Sequence, residues 1–138
     1  MSTRTLRAGL ALGAALLATL VAAPSAQAYP LETHIGYASS STYGYGAYEV
    51  MTEGYGVIYA MDTHGDGYRI VTTVYNQTLG GDQVAFAYDA NGDNSSSGPL
   101  DYDYLGRAGD QMKMVTCRQN GAGGTPFNCK TTYFKLPY

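Results

Sequence analysis

Short runs in which apolar and polar positions alternate recur along the chain from residue 47 onward, separated by turn residues. A period of two predicts β-strands, because successive side chains of a strand point to opposite faces. The clearest run, 68–75 (YRIVTTVY), is rich in β-branched and aromatic residues, which favour strands. The seven predicted strands are 47–52, 56–62, 68–75, 83–89, 100–105, 111–118 and 130–136.

These elements predict an all-β protein. No segment after residue 28 shows the 3.6-residue period of an amphipathic helix. Short strands separated by regular turn signals are typical of small antiparallel sandwiches and barrels. We therefore expect a single small antiparallel β-sandwich of about seven strands, with an extended N-terminal arm and one disulfide.

The first 28 residues have the pattern of a secretory signal peptide. Arg4 and Arg7 precede an uncharged, Ala- and Leu-rich run, which is followed by Pro24 and by the Ala26-Gln27-Ala28 sequence. We expect cleavage after residue 28, an extracellular product and no remaining membrane segment. The formal net charge of −3 becomes more negative on cleavage, which argues against nucleic-acid binding.

Residues 29–46 form a separate segment by composition. This stretch is rich in Tyr, Ser and Gly and contains no aliphatic run, so it is poorly suited to bury a core of its own. We interpret it as an extended arm that orders against the domain formed by 47–138 or against a partner. Tyrosine is favoured in binding surfaces, and the candidate partner-binding residues are Tyr37, Tyr43, Tyr45 and Tyr48.

Two cysteines, Cys117 and Cys129, follow the predicted signal peptide, and an even number in an exported chain favours a disulfide. Only one pairing exists. It would connect the end of one predicted strand to the start of the next across a Gly-rich loop. A ring of this size stabilises a fold by about 3 kcal/mol in the chain-entropy model.

One polar loop has the spacing of calcium ligands. Asp89, Asn91, Asp93 and Ser95 recur at every second position, as in a calcium-binding loop. The residue that should be a bidentate Glu is Leu100, and the favoured interpretation is therefore a polar hairpin loop. We expect no cofactor, with weak Ca²⁺ binding as the alternative.

Two further hypotheses come from exposed loops. The disulfide-bounded loop could present Thr125, Pro126 and Phe127 to a hydrolase, as secreted protease inhibitors do. His64, with Asp62 or Asp66 nearby in sequence, could act in a small hydrolase, but no nucleophile motif accompanies it. We expect no enzymatic activity.

The span from about Tyr55 to Lys130 resembles small secreted proteins of Streptomyces-type actinobacteria. The resemblance lies in the D-x-x-x-D-G turn (Asp62, Asp66, Gly67), the YRIVTTVY strand and MKMVTCRQNGAGGTPFNC. Within this group, the chain is similar to the adaptor subunit of umbrella-shaped toxin particles, in which a compact β domain grips one protein and an N-terminal strap enters another. The resemblance implies a secreted adaptor that is monomeric by itself and links larger secreted proteins.

Overall fold

A computed structural model describes residues 32–51, 54–90, 92 and 101–137, with the backbone alone for 101–103. These residues form eight β-strands and no α-helix. The strands are β1 (Glu32–Tyr37), β2 (Gly44–Val50), β3 (Tyr55–Asp62), β4 (Arg69–Asn76), β5 (Asp82–Asp89), β6 (Asp101–Tyr104), β7 (Gln111–Gln119) and β8 (Phe127–Lys135). None of the described residues belongs to a helix that could span a membrane.

The strands form two four-stranded sheets. The first sheet has the order β1-β2-β3-β6 and the second the order β5-β4-β7-β8, with antiparallel pairing throughout. The predicted all-β antiparallel architecture is therefore confirmed. The eighth strand, β1, comes from the segment that the sequence separated as an arm.

The described part of the arm contributes β1 and the start of β2 to the first sheet. Its residues 32–37 form β1, and β2 begins at Gly44, within the predicted arm, and lies between β1 and β3. Along β2 the residues facing the second sheet are Gly44, Gly46, Tyr48 and Val50. A Cβ on Gly46 would overlap the hydroxyls of Thr72 and Thr116 in the second sheet. Glycine therefore allows close approach of the two sheets here.

The core lies between the sheets and contains Tyr48, which is fully buried. The Tyr48 ring packs 4.8 Å from the Phe134 ring, and the His34 ring of β1 stacks 4.2 Å from Phe134. Burial, and then the nearby Glu32 carboxylate, raise the pKa of the Tyr48 hydroxyl. The other main core side chains are Val50, Ile58, Ile70, Val74, Leu105, Met112, Met114 and Leu136.

The disulfide joins Cys117 of β7 to Cys129 of β8. These two strands are neighbours in the second sheet, so the disulfide fixes a hairpin and does not connect the two sheets. This confirms the predicted pairing and its position in the fold.

The buried side-chain amide of Asn76 connects several segments by hydrogen bonds. It lies at the end of the sandwich opposite the disulfide. Its Nδ2 donates to the Leu105 carbonyl (3.1 Å) and to Asp110 Oδ2 (2.8 Å). Asp110 also accepts from the Arg107 backbone amide (2.9 Å). The hydrogen bond from Asn76, and then that from the Arg107 amide, lower the pKa of Asp110.

Candidate functional site

The outer face of β1, β2 and β3, which we call the arm face, exposes several apolar side chains. On β1 it includes Ile35 and Tyr37, which retain 48% and 37% of their accessible surface. Exposed hydrophobic side chains that lie side by side mark interaction sites more often than isolated ones do. Tyr45 and Met61, paired across β2 and β3, extend the same face.

A groove of about 340 Å³ lies in the arm face and is centred on Ala47. The strand register places Ile35 beside Ala47 on β1 and Tyr59 beside it on β3. Tyr45 and Glu49 occupy the positions two residues before and after Ala47 along β2, on the same face. The small alanine side chain therefore forms the floor, and four larger side chains form the walls. Thr33 and Met61 complete the lining.

Glu49 supplies a carboxylate to this groove. The Tyr59 hydroxyl donates a hydrogen bond of 3.1 Å to Glu49 Oε2. Burial, and then this hydrogen bond to Glu49, raise the pKa of Tyr59, so its hydroxyl remains a proton donor at neutral pH. The bond orients the Glu49 carboxylate at one end of the groove and leaves Oε1 as a second acceptor.

The four predicted partner-binding tyrosines do not share one surface. Tyr37 and Tyr45 lie together on the arm face, with ring centroids 6.0 Å apart. Tyr43 packs at the sandwich end, against Arg118. The prediction was wrong for Tyr48, because Tyr48 is at an inward position of β2 and is fully buried in the core.

The sequence reasoning also missed Ile35, Glu49 and Tyr59 as members of this surface. The available signal was the Tyr-Gly-Tyr-Gly alternation in 43–46, since glycine at every second position is compatible with a strand whose inner face is crowded.

A second cluster, which we call the arginine cluster, surrounds Arg118 at the disulfide end of the sandwich. The guanidinium carbon lies 4.1 Å from the Tyr43 ring centre, 4.5 Å from that of Tyr68 and 5.5 Å from that of Phe127. The guanidinium also forms an ion pair with Asp66. Arg118 is 8% exposed, and it connects the β1–β2 turn, the β3–β4 turn and the disulfide loop. These contacts hold the three segments together and indicate a structural role for Arg118.

The disulfide loop places the candidate inhibitor residues in two environments. Thr125 and Pro126 are exposed, whereas Phe127 is half-buried, with its ring 5.3 Å from that of Tyr68. The Gln119 side chain donates to the Gly124 carbonyl (2.6 Å) and accepts from the Arg69 guanidinium. These bonds restrain the Gly-rich loop, and they leave Thr125 and Pro126 as its accessible part.

Two acidic residues from separate regions of the sequence, Asp62 and Asp89, lie together at the ends of β3 and β5. The Asp62 backbone amide donates to Asp89 Oδ2 (2.9 Å), and both side chains are buried. Burial raises the pKa of Asp62, and the neighbouring Asp89 and Asp66 carboxylates act in the same direction. The other candidate calcium ligands, Asn91, Asp93 and Ser95, lie outside the described residues. Within the described ranges, His, Cys, Asp and Glu side chains form no group of three or more suited to a metal ion.

His64 is exposed and contacts Tyr43 through an edge-on ring arrangement. Asp62 Oδ1 accepts from the His64 backbone amide (3.0 Å), and the carboxylate of Asp66 pairs with Arg118. Both carboxylates proposed to assist His64 therefore make other contacts.

Comparison with known proteins shows a likeness of fold. No family model matches the chain, and no curated protein matches it either. A crystal structure described as an endonuclease/exonuclease/phosphatase from Beutenbergia cavernae DSM 12333 is similar, with a TM-score of 0.60 and 14% identity. The similar region covers 76% of this chain and 27% of that chain. The chain thus corresponds to about a quarter of that protein, and the likeness concerns the fold alone.

Proposed function

We propose that the chain is a secreted, non-catalytic protein-binding module that links larger secreted proteins in an extracellular complex. The arm face is the surface through which it would bind one of them. The adaptor role in a toxin-type complex is the one implied by the resemblance of the Tyr55–Lys130 span to actinobacterial secreted proteins. The disulfide and the compact all-β fold are compatible with an extracellular location.

The observation that carries the proposal is the groove at Ala47, with exposed Ile35 and Tyr37 beside it. Aromatic residues in a depression of an apolar face are typical of the energetic centre of protein interfaces. The carboxylate of this groove, Glu49, already accepts a hydrogen bond from the Tyr59 hydroxyl. That arrangement suits recognition better than proton transfer to a substrate.

The structure determines which variants test this proposal cleanly. Deleting residues 29–45 would remove β1 and the first residues of β2, an internal strand of the first sheet, and would damage the fold itself. Ile35→Ser and Tyr37→Ser change exposed side chains on the arm face and leave the inward positions of β1 intact. Tyr133→Ser is the matched control, because Tyr133 is 69% exposed on the second sheet.

The experiment is to isolate the C-terminally tagged protein from the medium of its own producing cells and to identify co-purifying proteins. We expect larger secreted proteins with the wild type and with Tyr133→Ser, and their loss with the double arm-face variant. The proposal is wrong if the wild type elutes alone, or if the arm-face variant retains the same proteins.

A second candidate function is inhibition of a secreted hydrolase through the disulfide loop. It is favoured by the exposure of Thr125 and Pro126 on a loop that Gln119 and Arg69 restrain, since restraint lowers the entropic cost of binding. It predicts that a Thr125→Ala, Pro126→Gly variant loses inhibition of an extracellular protease, whereas Ile35→Ser does not. Equal inhibition by both variants, or none by the wild type, argues against it.

A further inference from the structure

The groove at Ala47 combines an apolar floor with a carboxylate at one end. Ala47 is 8% exposed, so the floor is shielded by its neighbours. Ile35 and Tyr59 stand on opposite sides of it across the strands, and Tyr45 closes the end away from Glu49. A side chain that enters here meets apolar walls along its length before it reaches the carboxylate.

The lining carries one acidic group, Glu49, and no basic group among its described residues. The carboxylate is already oriented by the Tyr59 hydroxyl through Oε2. Its Oε1 atom therefore provides an acceptor in a fixed position, and the Tyr59 and Tyr45 rings provide faces that favour cations.

We propose that the arm face binds a partner-protein segment that inserts an arginine side chain over Ala47 and pairs its guanidinium with Glu49. An arginine has an apolar stem that can lie along Ile35 and a planar cation that can stack on tyrosine and bond a carboxylate. This inference rests on the proposed function and specifies the chemistry of the partner. It distinguishes the groove from a general hydrophobic patch, which would prefer an uncharged side chain.

The probe is a blocked valine–arginine–valine tripeptide, compared with tripeptides that carry norleucine or glutamate at the centre. Binding is followed by NMR through the Met61 methyl resonance and the β1–β3 amides of the full mature chain. We expect saturable shifts confined to these positions with the arginine peptide, a severalfold weaker response with norleucine and none with glutamate.

Three variants identify the cause of the response. Glu49→Gln keeps an acceptor for Tyr59 but removes the charge, and we expect it to abolish the preference for arginine over norleucine. Ala47→Leu fills the floor and should weaken binding of both peptides. Asp82→Asn removes a carboxylate charge from an exposed position of β5 in the second sheet and should leave the shifts unchanged.

The inference is overturned if the arginine peptide gives no saturable shift with the wild type. It is also overturned if this peptide shifts the resonances of Glu49→Gln as it shifts those of the wild type. Self-association through the arm face, detected by sedimentation and lost with Ile35→Ser, would show that a second copy occupies the groove and would also overturn it. Secreted proteins could co-purify with Glu49→Gln but not with the Ile35, Tyr37 double variant. That result would support the proposed function and contradict the pairing of a partner arginine with Glu49.

Discussion

Gly46 in the first sheet lies directly against Thr72 in the second sheet, and there is no room for a Cβ between them. Thr72 and Thr116 meet at the same place, with their hydroxyl oxygens 3.3 Å apart. The arm thus contributes a close approach of the two sheets, through a residue without a side chain.

Gly46→Ala should therefore destabilise the protein by about 1–3 kcal/mol, the usual range for overpacking in a core. Gly123→Ala is the control, because a Cβ at Gly123 meets nothing within 4 Å. Urea denaturation of both variants measures the difference. Equal midpoints for the two variants would contradict the close sheet contact.

Asp62→Asn should stabilise the protein at neutral pH, on the order of 1 kcal/mol. Burial raises the pKa of Asp62 above 3.8, so the folded state binds its proton more tightly than the unfolded state does. Stability from this group is greatest below the unfolded pKa and falls as pH rises to the folded pKa. Thermal melts between acid and neutral pH should show that slope in the wild type and a weaker one in Asp62→Asn.

The contribution of Asp110 to stability should have the opposite pH dependence to that of Asp62, and Asp110→Asn tests this. The hydrogen bonds from Asn76 and from the Arg107 amide lower the pKa of Asp110, so its contribution is present above the unfolded pKa of 3.8. It is lost as pH falls through the folded pKa. We expect a loss of about 1–3 kcal/mol at neutral pH, the cost of disrupting a buried charged hydrogen bond.

The same melts provide the measurement for Asp110→Asn, and the difference from wild type should shrink toward acid pH. A constant difference across the range would mean that the charge of Asp110 is not responsible.

Arg118→Met should loosen the end of the sandwich that carries the disulfide loop. The substitution removes the ion pair with Asp66 and the cation–π contacts with Tyr43 and Tyr68, together worth about 2 kcal/mol. The Ser39 amide, which donates to the Asn128 carbonyl (3.0 Å), reports on this end through hydrogen exchange. Arg107→Met, at an exposed position of the other end, should leave that exchange unchanged.

The strands that the sequence predicted best are those with β-branched residues or regular alternation. The predicted strand 68–75 corresponds to β4 (Arg69–Asn76), and the predicted strand 111–118 corresponds to β7 (Gln111–Gln119). Both strands pack apolar side chains on their inner faces, which is what the alternation of residue types detects.

Strand β1 and the first residues of β2, before the predicted strand 47–52, were missed because the inward positions there carry little hydrophobic surface. Gly36 and Gly46 occupy inward positions opposite Met114 and Thr116, and the bulk that fills the space comes from the second sheet. A pattern search within one strand does not detect a partner that is far away in sequence. For the same reason the groove could not be predicted, because Ile35, Ala47 and Tyr59 become neighbours only through the β1–β2–β3 register.

The inner face of β1, which carries Gly36 and no aliphatic side chain, also sets an order of assembly. This strand has little apolar surface of its own to bury, so it gains stability only when β2 beside it and β7 and β8 of the second sheet are in place. Such long-range contacts form late, because the chain must first close large loops. Strand β1, the first of the described strands in chain order, is therefore added last, and it should be the first strand to open in the native protein, with the fastest amide exchange.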